Sequence, residues 1–133
     1  MAIEHEIRLR VRYEETDAMC VVHYSKYFVW FEAGRVELFR SVGIQFKDFE
    51  KKGLFFPVVE AMANYKASAR FDDEILLKTK ITKIGNTSVR FENRVIKLPE
   101  LSLICEGHTV HVLTDAHGRP TQIPEEMKAG LST

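Results

Sequence analysis

The chain has 133 residues, of which 45% are hydrophobic, and its 19 basic and 19 acidic side chains give a formal net charge of zero. This hydrophobic content argues against a disordered chain, and the balanced charge argues against a nucleic-acid-binding protein, which carries a basic excess. The length fits one domain, residues 1–133. With no signal-peptide pattern and no apolar run of about 18 residues, we expect no transmembrane segment and a cytoplasmic location.

A strand is predicted at residues 3–13, followed by an acidic loop. Ile7, Leu9, Val11 and Tyr13 alternate with arginines, and this period of two is typical of a half-buried strand. The alternation stops at residue 14. The loop over residues 14–20 therefore carries Asp17 towards the next element.

A long helix is predicted at residues 24–42, because apolar and aromatic residues recur there at helical spacing. They spread over almost the whole circumference, so we expect a helix that is buried on all sides. Ser25 is the predicted N-cap and Gly43 the predicted C-terminal stop. The carboxylate of Asp17 precedes this helix, whose first backbone N–H groups are unpaired. Such a pair of groups can attack a carbonyl and stabilise the resulting oxyanion.

The second half of the chain is predicted to be mostly strands. Four are expected, at residues 54–67, 75–84, 87–98 and 101–114, with short helices at 47–52 and 124–130. In the second of these strands, Ile75, Leu77, Thr79 and Ile81 alternate with Leu76, Lys78, Lys80 and Thr82. Together with the first strand they give an α+β fold, in which a curved antiparallel five-stranded sheet wraps a long central helix. Such a sheet keeps an exposed edge, which dimerisation would cover.

Two blocks of residues carry a resemblance to a known family. The first block is Tyr13-x-Glu15-Thr16-Asp17-x-x-x-Val21-Val22-x-x-x-x-Tyr27-x-x-Trp30-Phe31-Glu32-x-Gly34-Arg35, and the second is Tyr65-x-x-x-Ala69-x-Phe71-x-Asp73-x-Ile75. The first resembles the signature of hotdog-fold acyl-CoA thioesterases, in the 4-hydroxybenzoyl-CoA thioesterase-like branch that includes the Tol-Pal-associated enzymes. The second is similar to that family's second conserved block.

The resemblance implies a hot-dog fold, a homodimer that commonly forms a homotetramer, and active sites at subunit interfaces. It implies an acyl-CoA substrate, and acyl carrier protein is an alternative carrier of the acyl group. No cluster of carboxylates and histidines has metal-ligand spacing, so we expect no metal and no cofactor. The family's catalytic aspartate corresponds to Asp17, and its carbonyl-polarising N–H to Tyr24 or to its neighbour His23. Val22, His23, Tyr24 and Tyr27 are the expected substrate-binding residues.

Several alternatives stay open at this point. Asp17 can act as a nucleophile or as a general base that activates water. His23 keeps open a hydratase or dehydratase of acyl thioesters, and a non-catalytic acyl-thioester-binding module is a third function. Cys20 stands where many family members have glycine. The acyl group itself is not specified by the sequence.

Overall fold

Five strands and three α-helices make up residues 3–132, the part of the chain described by the structure, which is a computed structural model. The elements in chain order are β1 (Glu4–Arg10), a 3-10 turn (Tyr13–Glu15), α1 (Lys26–Ser41), α2 (Phe46–Lys51), β2 (Val58–Tyr65), β3 (Glu74–Ile84), β4 (Ser88–Leu98), β5 (Ser102–Val112) and α3 (Glu125–Leu131). Every predicted helix and strand is present, with bounds that differ by a few residues. None of the helices in residues 3–132 has the length and apolar character needed to cross a bilayer.

The strands form one antiparallel sheet in the order β1-β3-β4-β5-β2. β3, β4 and β5 follow one another as a meander, while β1 and β2 form the two edges. On β3 the buried side chains are Ile75, Leu77, Thr79 and Ile81. Their spacing of two residues is the alternation predicted from the sequence, and it turns one face of the sheet towards α1.

Helix α1 packs on that face through two apolar clusters. The cluster at its N-terminal half contains Tyr27, Trp30 and Phe31, and the cluster at its C-terminal half contains Leu38 and Phe39. Gly34 lies in α1 between these two sets of residues. A methyl group on Gly34 would overlap Thr79 Oγ1 and lie 3.0 Å from Leu77 Cδ2. The absence of a side chain at Gly34 is therefore what lets the helix lie close to the sheet.

The prediction that α1 is buried on all sides is wrong. Val29 is 55% exposed, and Glu32 and Ala33 on the same helix are exposed as well. The sheet of one chain covers only one side of the helix. The apolar residues on the other side are therefore left open in the single chain.

The predicted helix ends are half right. Gly43 has a φ of +83° and follows the last turn of α1, as expected for a C-terminal glycine. Ser25 stands at the N-cap position, but its backbone is helical and its side chain makes no capping hydrogen bond. Its hydroxyl is bonded to His23 Nδ1 instead, at 2.8 Å.

The first strand is shorter than predicted. β1 ends at Arg10, and Tyr13 begins the 3-10 turn with 76% of its surface exposed. Val11 is bound at both its backbone groups to the turn before β3: its N–H donates to Asp73 O and its carbonyl accepts from Asp72 N–H, each at 2.9 Å. The chain then turns away from the sheet and forms the loop that carries Asp17.

Candidate active site

Asp17 lies at the start of a tight loop that returns the chain to α1. Its N–H donates to Val21 O, and its carbonyl accepts from Cys20 N–H, both at 2.9 Å. Cys20 has a φ of +66°, in the left-handed region, and its carbonyl accepts a bond of 3.3 Å from the Arg70 guanidinium. A bridge between Thr16 and Val22 closes the loop. The backbone around Asp17 is therefore well defined.

The Asp17 carboxylate is half-buried and keeps one oxygen available. Oδ1 accepts the Met19 N–H at 2.9 Å, the bond of an Asx turn. Within residues 3–132, Oδ2 has no hydrogen-bond partner. Asp17 does not cap α1, since its bond is to its own loop. One oxygen of the carboxylate is thus free to meet a substrate or a water molecule.

The start of α1 distinguishes between the two predicted N–H donors. The helix begins at Lys26, two residues later than predicted. The N–H of His23 already donates to Glu15 O at 2.9 Å. The Tyr24 N–H has no acceptor in the described part of the chain, and the Tyr24 carbonyl is held by the Tyr65 hydroxyl at 3.0 Å. Of the two, Tyr24 therefore offers the available donor.

The His23 ring has its basic nitrogen occupied. Nδ1 accepts the Ser25 N–H at 3.3 Å and is 2.8 Å from Ser25 Oγ. A neutral imidazole that accepts at Nδ1 carries its proton on Nε2. The ring lies against that of Tyr24, with centroids 4.4 Å apart. In this arrangement His23 can donate a hydrogen bond from Nε2 but has no free basic nitrogen.

Val22 and Tyr27 lie beneath the loop in the core. Both are buried, and the Val22 N–H donates to Ala69 O at 2.8 Å. Tyr27 makes edge-to-face contacts with Trp30 and Tyr65, and burial raises the pKa of its hydroxyl to about 12. They form a rigid wall beneath the loop, and direct contact with substrate remains a prediction for both.

Glu15 is a buried carboxylate of this region that the sequence did not single out. Its two oxygens accept the Arg12 N–H and the indole Nε1–H of Trp30, each at 2.8 Å. A buried tryptophan N–H normally requires a partner, so Trp30 in the predicted helix was a signal for a nearby acceptor. The periodicity of the sequence could not show which residue supplies it.

A separate cavity of about 340 Å³ lies beside the middle of α1 and contains none of the predicted site residues. Arg35, His111 and several phenylalanines line it. Burial lowers the pKa of His111 to about 4, and the charge of Arg35 acts in the same direction. His111 Nδ1 is 3.0 Å from Phe56 O and its Nε2 is 3.0 Å from Thr109 Oγ1. Both ring nitrogens therefore serve the fold.

The comparisons with known proteins decide the family. The model of the family described as "Thioesterase-like superfamily" matches residues 11–131. The chain belongs to the thioesterase-like superfamily. It is 31% identical over 126 residues to "Acyl-CoA thioesterase YbgC" of Haemophilus influenzae, covering 92% of this chain and 90% of that protein. It is 30% identical over 125 residues to "Acyl-acyl carrier protein thioesterase ATL2, chloroplastic" of Arabidopsis thaliana, covering 94% of this chain and 66% of that protein.

The structural comparison supports the hot-dog fold of this superfamily. A mutant of 4-hydroxybenzoyl-CoA thioesterase, solved with 4-hydroxybenzoyl-CoA, superimposes with a TM-score of 0.90, covering 98% of this chain and all of that one. At 19% identity, this likeness concerns the fold alone. The chain spans 53% to 66% of the length of the first four curated relatives that it matches. Assignment to the Tol-Pal-associated branch stays a prediction.

Proposed function

We propose that this chain hydrolyses acyl-CoA thioesters to the free acid and CoA, with Asp17 as the catalytic residue. The observation that carries the proposal is the pair of unused groups along one short stretch of chain. Asp17 keeps Oδ2 free, and Tyr24, just before α1, keeps its N–H free. A carboxylate oxygen and a helix-start N–H are the two groups that acyl transfer needs on either side of a carbonyl.

The two groups support two routes. In the nucleophilic route, Asp17 Oδ2 adds to the thioester carbon, the tetrahedral intermediate expels the CoA thiolate, and water hydrolyses the mixed anhydride. In the general-base route, Asp17 removes a proton from a water molecule, which adds to the same carbon. In both, the Tyr24 N–H donates to the oxyanion. Loss of such a donor typically raises the barrier by about 3–4 kcal/mol. The Nε2–H of His23 can donate a hydrogen bond to the departing thiolate, which takes its proton from water or from the protonated Asp17 of the general-base route.

The substrate-binding role is proposed for Val22, His23, Tyr24 and Tyr27. Tyr24 is exposed and His23 is half-buried, while the buried Val22 and Tyr27 would act from beneath by fixing the wall of the site. CoA is the proposed carrier of the acyl group, as the name of YbgC states for that relative. Acyl carrier protein, named for ATL2, is the alternative carrier.

A hydratase or dehydratase is less well supported by the same geometry. That chemistry requires a base at the α-carbon of the acyl group, and His23 would have to supply it. Its Nδ1 accepts from Ser25, so a neutral His23 has no lone pair left for a substrate proton. A non-catalytic binding module would leave the free oxygen of Asp17 without a purpose.

The functional unit is proposed to be a homodimer, which can assemble further into a homotetramer. β2 is an edge strand, and it carries the exposed apolar side chains of Val58, Val59, Met62 and Tyr65. Val29 on the open side of α1 is exposed as well. Pairing of an apolar edge strand with a second copy would cover this surface. Light scattering on the purified protein measures the number of chains in the assembly.

The cytoplasmic location remains a prediction.

A substrate panel tests the proposed activity. Aromatic, short-chain and long-chain acyl-CoA esters and acyl carrier protein esters are incubated with the enzyme, and free thiol is followed with a thiol-trapping dye. We expect thiol release matched by free acid for at least one CoA ester. Binding of esters without thiol release would favour the binding module, and hydration of enoyl-CoA without thiol release would favour the hydratase.

A further inference from the structure

Glu15 is a buried carboxylate that is held only by neutral donors. It is 7% exposed, and none of the ion pairs in residues 3–132 includes it. Its partners are a backbone N–H and an indole N–H. Burying a carboxylate is costly unless hydrogen bonds compensate for the lost water. The burial of a carboxylate at Glu15 therefore indicates a role other than packing.

The bonds of Glu15 join three segments of the chain. The Arg12 N–H, bound to Oε1, lies just beyond β1, and the Trp30 indole, bound to Oε2, belongs to the second turn of α1. The Glu15 carbonyl accepts the His23 N–H at 2.9 Å, which links it to the residue before Tyr24. One residue thus connects the loop of Asp17 both to the body of the helix and to its start.

Trp30 is a firm anchor for this connection. Its side chain is buried in the cluster at the N-terminal half of α1, and its ring is in edge-to-face contact with Tyr27, with centroids 5.0 Å apart. Asp17 follows Glu15 by two residues and shares the same hairpin. The bond between Glu15 and Trp30 thus ties the segment that carries Asp17 to the second turn of α1.

We propose that Glu15 is a positioning residue. Its bonds to Trp30 and to the His23 N–H keep Asp17 and the Tyr24 N–H at the separation needed on either side of the thioester carbonyl. The inference rests on the proposed function. It assigns to Glu15 no contact with substrate. Small misplacements of reacting groups are expensive, since about 1 Å can lower a rate about 100-fold.

Glu15→Gln is the first test, because glutamine keeps the shape but places an NH₂ group against one of two donors. We expect kcat to fall about 10- to 100-fold with KM within about twofold of the wild type. Trp30 is the only tryptophan of the chain, so its fluorescence emission reports on the same bond and should shift. Glu14→Gln, at an exposed neighbour paired with the Arg12 guanidinium at 3.5 Å, is the matched control and should retain kcat and emission.

Trp30→Phe removes the indole N–H that donates to Glu15. It replaces Glu15→Gln as the test if the glutamine variant does not fold. It should lower kcat to a similar extent, and the double variant should lose no more than the worse single variant, because both changes break one bond. Melting temperatures are measured for all variants, since a purely structural role would lower stability and leave kcat below the melting point unchanged.

Two results would overturn the inference. One is a Glu15→Gln or Trp30→Phe variant with wild-type kcat, and the other is a fully additive pair of losses. Failure of the proposed function has a different signature, because in that case Asp17→Asn keeps its activity whatever happens at Glu15.

Discussion

Gly34→Ala tests the packing that fixes α1 against the sheet. In most helices this change is stabilising, by about 1 kcal/mol, because alanine is the better helix former. Here the added methyl group would overlap Thr79 Oγ1 and lie 3.0 Å from Leu77 Cδ2. Thr79 cannot turn away without cost, since its hydroxyl donates to Asn93 Oδ1 at 3.1 Å within the core.

Three contributions make up the expected change in the free energy of unfolding. Overpacking of a closed core costs about 1–3 kcal/mol, and loss of the bond between Thr79 and Asn93 costs about 1 kcal/mol. Asn93 Nδ2 already lacks a partner in the described chain, so no second bond compensates. The higher helix propensity of alanine offsets about 1 kcal/mol of these costs. We therefore expect Gly34→Ala to lower the free energy of unfolding by about 2 kcal/mol.

Urea denaturation measures this change as a lower midpoint with an unchanged slope. Gly130→Ala is the matched control, because Gly130 lies in α3 and its added methyl group meets nothing within 4 Å. The Gly130→Ala variant should have a free energy of unfolding about 0.5 kcal/mol higher than the wild type. In a Thr79→Ala background, Gly34→Ala should cost clearly less than it does alone. A Gly34→Ala variant that is as stable as the wild type, or that gains stability as Gly130→Ala does, would refute a close contact between Gly34 and Thr79.

Two further predictions concern the loop and the buried histidine. Cys20→Gly should raise the free energy of unfolding by about 0.5–1 kcal/mol, because glycine adopts the φ of +66° without strain; a lower urea midpoint would contradict this. His111 has its pKa lowered by burial to about 4 from the ordinary 6.5, so the unfolded chain takes up a proton between these values that the native chain does not. The stabilisation that neutral His111 gives the folded chain is fully present above pH 6.5. As the pH falls towards 4, the free energy of unfolding therefore decreases by up to about 3 kcal/mol. His111→Gln should flatten this part of the stability profile in urea titrations at pH 7 and pH 4.5, and an unchanged slope would speak against the assignment.

The strands and the long helix could be predicted because their signals are local. The alternation of Ile75, Leu77, Thr79 and Ile81 requires only that one face of β3 be buried, and it is found as predicted. The open side of α1 could not be predicted in this way. Val29 is as apolar as the buried residues of the helix, and the extent of the sheet that covers them is set by tertiary structure.

The sequence points to the loop of the proposed site but not to the hydrogen bonds within it. The position of Asp17 before the helix and the motif around it both predict a catalytic carboxylate there. The choice of Tyr24 over His23 as N–H donor depends on the bond of the His23 N–H to Glu15 O. That bond, like the one between Glu15 and Trp30, joins residues whose separation along the chain carries no periodic signal.

The most direct test of the account is thiol release by Asp17→Asn. Asparagine keeps the side-chain oxygen that accepts the Met19 N–H, so the loop should remain intact and the melting temperature should match the wild type. The control is Asp72→Asn, at an exposed turn position with a φ of +70° that asparagine tolerates. We predict that Asp17→Asn lowers kcat about 1,000-fold while Asp72→Asn retains it. An Asp17→Asn enzyme that releases thiol within tenfold of the wild-type rate would contradict the account.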